Sequence, residues 1–139
     1  MIWQEFLVDR NLTENEIANA IANLFLIPLT DVLVVDDIVE TDVSERVRVV
    51  CERMSVEGDF SIRLSIYLRD SNLDQSDSTL KIGQFCELLN CQCLVSDESV
   101  NPYQWRLVQS SETWKLVYLD PRLLDENEEY IIQNPCESK

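Results

Sequence analysis

Histidine is absent from this 139-residue chain, and glycine occurs only at Gly58 and Gly83. The first absence removes the commonest general base and the usual serine or cysteine triad. The second leaves no glycine-rich loop to cradle a phosphate. Positive charge is scarce too: 11 Lys plus Arg face 26 Asp plus Glu, a formal net charge of -15. A polyanion repels phosphate, so direct nucleic-acid binding and attachment to an anionic membrane are disfavoured. No stretch approaches the roughly 18 consecutive apolar residues of a membrane span. The opening MIWQEFLVDR carries Gln4 and Glu5 where a secretory signal is apolar, so no signal peptide is expected. Cysteines stand at 51, 86, 91, 93 and 136, an odd number without the regular spacing of a secreted disulfide framework. A reducing, cytoplasmic location is the expectation.

What remains is a foldable chain. Its hydrophobic content of 45% is ordinary for a globular protein, and its length suits a single α+β domain over 1–139. The strongest pattern is Arg46 to Asp70, where apolar residues alternate at Val47, Val49 and Cys51 and again at Phe60, Ile62, Leu64, Ile66 and Leu68. That period belongs to strands, and Glu57-Gly58-Asp59 between the runs supplies a turn with positive φ. A long antiparallel hairpin with one apolar face is predicted.

Around it the remaining elements follow in order. Ile2 to Val8 suits a short edge strand or an extended arm. Thr13-x-x-Glu16 is a capping box ahead of Ile17, Ala20, Ile21, Leu24 and Phe25, a helical face that ends before Pro28. Asp31 to Ile38 reads as a strand with both faces covered. Beyond the polar connector Leu73 to Ser78, Ile82, Phe85, Cys86 and Leu89 mark a second helix, within which Gly83 implies a close approach to the sheet. Cys91, Cys93 and Val95 make a short strand. Tyr103, Trp105, Leu107 and Trp114, Leu116, Tyr118 make a second hairpin with an aromatic face. Asp120-Pro121 starts a third helix carrying Leu123, Leu124, Tyr130 and Ile131 and stopping near Asn134-Pro135. The expected fold is a two-layer α+β sandwich on a mostly antiparallel sheet, in the order β-α-β-β-β-α-β-β-β-α.

Strand alternation places Arg46, Arg48, Glu52, Ser61, Arg63, Ser65, Tyr67 and Arg69 on the polar face of the central hairpin. Arginine suits bidentate carboxylate pairing and stacking on an aromatic ring. One reading is a solvated face of ordinary ion pairs. The other is a docking surface formed by Arg46, Arg48, Arg63, Tyr67 and Arg69 for an acidic or extended partner, or for a second copy of the chain. Cys86, Cys91 and Cys93 offer soft ligands, with Cys51, Cys136 or a carboxylate as a fourth. No C-x2-C pair is present, however, and Cys51, Cys86, Cys91 and Cys93 fall on core positions, so packing thiols without metal or other cofactor are expected. Asp36, Asp37, Glu40, Asp42 and Glu45 crowd one connection without the glycine of a calcium loop, and read as a solvated turn.

Helix, three strands, helix, strand is similar to the core order of restriction-type, metal-dependent nucleases, which implies an acidic residue followed by an acid-x-lysine on the next strand. Here that strand reads FSIRLSIYLR, with neither acid nor lysine. Size, acidity and element order look similar to the small acidic chaperones of secretion systems, and the composition to small acidic immunity proteins. The function these features imply is a non-enzymatic, cytosolic protein-binding module. Two other classes are an acidic nucleic-acid mimic that inhibits a DNA-binding protein, and a metal-dependent hydrolase acting through Asp36 or Asp37.

Overall fold

The computed structural model describes residues 2–36, 42–70, 72–73, 78–97 and 99–133. Its elements run β1 (Ile2–Val8), α1 (Glu14–Phe25), a single 3-10 turn (Leu29–Asp31), β2 (Val32–Val35), β3 (Val49–Ser55), β4 (Glu57–Gly58), β5 (Ile62–Leu68), α2 (Ser78–Leu89), β6 (Cys93–Ser96), β7 (Gln104–Val108), β8 (Trp114–Leu119), α3 (Pro121–Asn127), β9 (Glu129–Tyr130) and β10 (Ile132–Gln133). Eight strands form one sheet in the order β10-β8-β7-β6-β1-β5-β3-β2, and β4 pairs with β9 apart from it. Among the described residues, only β2 and β3 run parallel within the large sheet. The α+β class is that expected from the residue pattern, and the order of the elements matches roughly, with the short strands β4, β9 and β10 in addition.

The central hairpin forms as its alternation dictates. Val49 pairs with Leu68 and Ser55 with Ile62, which puts Val49, Cys51, Ile62, Leu64, Ile66 and Leu68 on one face. The helices α1 and α2 cover that face. Thr13 caps α1 reciprocally: the Glu16 amide donates to Thr13 Oγ1 at 3.1 Å, and the Thr13 amide donates to Glu16 Oε1 at 2.9 Å. Ile17, Ala20, Ile21 and Phe25 of α1 and Ile82, Phe85 and Cys86 of α2 then bury against the sheet. Phe6 and Phe85 meet edge to face across this layer at 5.4 Å.

Several expectations need correction. Ile2–Val8 is no edge strand: β5 and β6 pair with its two sides, so it is the centre of the sheet. Val47 and Phe60 leave the apolar face of the hairpin, because the ladder begins only at Val49 and Ile62; each joins a separate cluster on the opposite face. The second hairpin has no single aromatic face. Its register sets Trp105 opposite Val117 and Trp114 opposite Val108, which sends Trp105 and Trp114 to opposite sides. The third helix stops at Asn127, where Glu128 turns left-handed at φ 55 and donates its amide to the Leu123 and Leu124 carbonyls. Tyr130 and Ile132 are extended instead, because the Asp59 amide donates to the Tyr130 carbonyl and Asp59 Oδ2 accepts from the Ile132 amide. On the second side of the sheet, Leu124 of α3, Tyr130 and Ile132 pack over Leu7, Phe60, Leu94, Leu107, Val117 and Leu119 at one end.

A cleft where the central strand splits from its neighbour

β5 follows β1 from Ile2 to Val8, but β6 pairs only with Phe6, Leu7 and Val8. Over Ile2–Glu5 the strand has no neighbour on the β6 side among the described residues, and the gap widens into a cleft of about 480 Å³. An irregularity between Ile2 and Gln4 turns Trp3 toward the helices, where it meets Phe25 edge to face at 5.3 Å. Trp3 lines the cleft, and its indole Nε1 is buried with no hydrogen-bond partner among the described residues. Such a donor forfeits about 1–3 kcal/mol until an acceptor reaches it.

An ion pair holds each wall. On the β1 side, Arg63 Nε lies 3.2 Å from Glu5 Oε2, which also accepts from Ser65 Oγ at 3.2 Å. On the β6 side, Asp97 accepts from Gln104 Nε2 at 2.7 Å and from Arg106 Nε at 2.9 Å, and these two donors hold its carboxyl below the ordinary 3.8. Arg106 also donates to Thr79 Oγ1 at 3.2 Å, while Gln4 Nε2 donates to Ser78 Oγ at 3.3 Å, so the start of α2 is tied to both walls. Trp105 and Tyr130 meet edge to face at 6.2 Å and complete the apolar lining. A second groove, of about 280 Å³, shares Arg63 and Tyr130 with the cleft and continues past Met54 to Glu57, Glu126 and Glu128. The two meet at Arg63 and Tyr130, the cleft being aromatic at the split strand and the groove acidic.

Comparison with protein-family models, with curated proteins and with solved structures gives no match. Function must therefore be read from the geometry. No helix among the described residues is long and apolar enough to cross a membrane.

The arginines expected to act together occupy two places. Arg63 lines the cleft. Arg46, Arg48 and Arg69 sit at the other end of the hairpin, six residues or about 20 Å of strand away. There Arg48 Nε lies 2.8 Å from Asp70 and its Nη1 3.3 Å from Asp31, contacts that raise the Arg48 pKa. Asp70 is held below its ordinary value by the Asn72 amide and then by Arg48. Arg69 Nη1 donates to the Ser44 carbonyl at 2.8 Å, Arg46 is exposed, and Tyr67 packs beside Val35, Val47 and Val50. Of the acidic connection, Asp37 and Glu40 lie outside the described residues, and Asp36, Asp42 and Glu45 are exposed.

The three cysteines that the sequence offers as soft ligands are brought together by the fold. Asn90 adopts φ 53 at the end of α2, letting the Cys91 amide donate back to the Cys86 carbonyl at 3.1 Å. Cys86, Cys91 and Cys93 thereby place their three sulfurs within 4.8 Å of one another, all buried. Their mutual hydrogen bonds, with Arg10 nearby, pull the Cys91 thiol down, and burial pushes Cys93 up. Cys86 is pushed up as well, and its thiol donates to the Val108 carbonyl at 3.3 Å. Cys51 stands outside this group, and burial pushes its thiol up. Cys136 lies outside the described residues. The available signal was one of faces: Cys86 lies on the core side of a helix near its end, and Cys91 and Cys93 alternate into the next strand.

Proposed function

We propose that this chain is a non-catalytic binding module that accepts an extended, basic segment of a partner protein along the open side of β1. The observation that carries the reading is the one-sided pairing of the central strand: Ile2–Glu5 is laddered to β5 and faces an open cleft on the β6 side. Adding a strand to such an edge gives affinity through main-chain hydrogen bonds, while side-chain pockets give specificity. Trp3, Trp105 and Tyr130 suit apolar side chains of the guest. The acidic groove at Glu57, Glu126 and Glu128, on a chain of net charge -15, favours a guest with basic residues. An acidic guest has less to bind, since Arg48 and Arg63 already pair with Asp31, Asp70 and Glu5. The hydroxyls of Ser78 and Thr79 are engaged by Gln4 and Arg106, and Glu5 and Asp97 by guanidinium groups, so the lining presents side chains that position rather than a nucleophile beside a base.

Panning a displayed random-peptide library on the purified chain tests this. Extended peptides with one or more basic residues are expected, and Glu5→Arg, which reverses charge on one wall, weakens them by about tenfold or more. Selection of acidic peptides, or binding indifferent to Glu5→Arg, contradicts the proposal.

A further inference from the structure

The strongest feature outside the cleft is the triangle of sulfurs under the end of α2. We infer that Cys86, Cys91 and Cys93 form a binding site for one thiophilic d10 cation, with Zn2+ the ion that sulfur ligands of this kind commonly hold. Three thiolates around one zinc at the usual bond length stand about 3.8 Å apart. The sulfurs already lie within 4.8 Å of one another, so small side-chain rotations close the site without moving the backbone. Three elements converge to hold them: the last turn of α2, the left-handed Asn90 and the first residue of β6. Cys51 is equally buried but does not belong to the group, so burial of cysteines in an apolar core does not by itself explain the clustering.

Zinc with three thiolates carries one negative charge, and the guanidinium of Arg10, which donates to the Leu89 carbonyl and pairs with Glu16 at 3.6 Å, lies near enough to Cys91 to favour its thiolate. All three cysteines are buried, Cys93 fully and Cys91 with 7% exposure, so Cys91 stands nearest to solvent, where a fourth ligand would come from. Uptake forms three metal–sulfur bonds, and the thiol protons leave to solvent, including the one Cys86 donates to Val108. No redox step is involved.

The test uses the reduced, full-length chain with Zn2+ in competition with a chromophoric chelator, and with Co2+ as a spectroscopic substitute. One equivalent is expected, with sulfur-to-cobalt charge-transfer absorption of the strength given by three thiolates. Cys91→Ala is expected to weaken binding at least about 100-fold, the upper end of what even outer partners of a metal contribute, while Cys51→Ala leaves it unchanged. Affinity equal in the unsubstituted chain and Cys91→Ala overturns the inference. A disulfide among the three cysteines of the chain as isolated from cells, with no metal taken up after reduction, does the same. Where Cys91→Ala does not fold, the cobalt spectrum of the unsubstituted chain decides, and absence of the charge-transfer bands overturns the site.

Discussion

Gly83 lies inside a helix, where alanine is ordinarily favoured by about 1 kcal/mol. A Cβ at this position meets the Ser110 carbonyl oxygen and the Ser111 Cα at 2.5 Å, both backbone atoms of the β7–β8 turn. Gly83→Ala is therefore expected to destabilise the chain by about 1–3 kcal/mol, read as a lower urea midpoint; a stabilised variant means the turn yields freely. Gly58 combines φ +110 with a Tyr130 carbonyl oxygen 2.6 Å from where a Cβ would stand, so Gly58→Ala is expected to cost about 1–3 kcal/mol as well. The sequence shows that both glycines are needed, since one interrupts a helical period and the other separates two strands. What each approaches is not visible there: Gly83 faces a turn rather than the sheet, and Gly58 meets a strand far along the chain. Periodicity within one segment carries no information about such distant neighbours.

Among elements, α2 is fastened to the β7–β8 turn by a carboxylate of its own. Glu87 accepts from the Ser111 amide at 2.8 Å and from its hydroxyl at 2.7 Å, which holds Glu87 below the ordinary 4.5. Asp97 and Asp70 are likewise held below 3.8. A carboxyl whose folded pKa lies below its unfolded value contributes stability that is present above the unfolded value and lost as pH falls through the folded one. Thermal midpoints are thus expected to fall as pH drops below about 4, less steeply in Glu87→Gln; parallel curves contradict a role for this contact. Helix starts were legible because Thr13, Glu16, Asp120 and Pro121 announce them locally. The end of α3 was not, because the bonds from Asp59 to Tyr130 and Ile132 override the spacing of Leu123, Leu124, Tyr130 and Ile131. Strand neighbours were equally hidden, and with them the central place of β1 and the cleft beside it, since a strand paired on both sides and an edge strand of seven residues share the same mixture of Trp3, Gln4, Glu5 and Phe6.

At the scale of the whole molecule, a net charge of -15 opposes compaction and attracts a basic guest at once. Salt screens both effects. Added sodium chloride is expected to raise the thermal midpoint of the free chain while weakening its hold on a selected basic peptide; a guest whose affinity is independent of salt contradicts the charge component of the binding account. The polyanionic character and the lack of histidine were plain in the composition, whereas the cleft arises only when β1, β6, the start of α2 and Tyr130 come together. The measurement that tests this account most directly is amide hydrogen exchange of the chain with and without a selected basic peptide. Slowed exchange at Trp3–Glu5 and along the facing Val95–Asp97 segment is the predicted result. Protection confined to α1, or to the Arg46, Arg48 and Arg69 end of the hairpin, contradicts it.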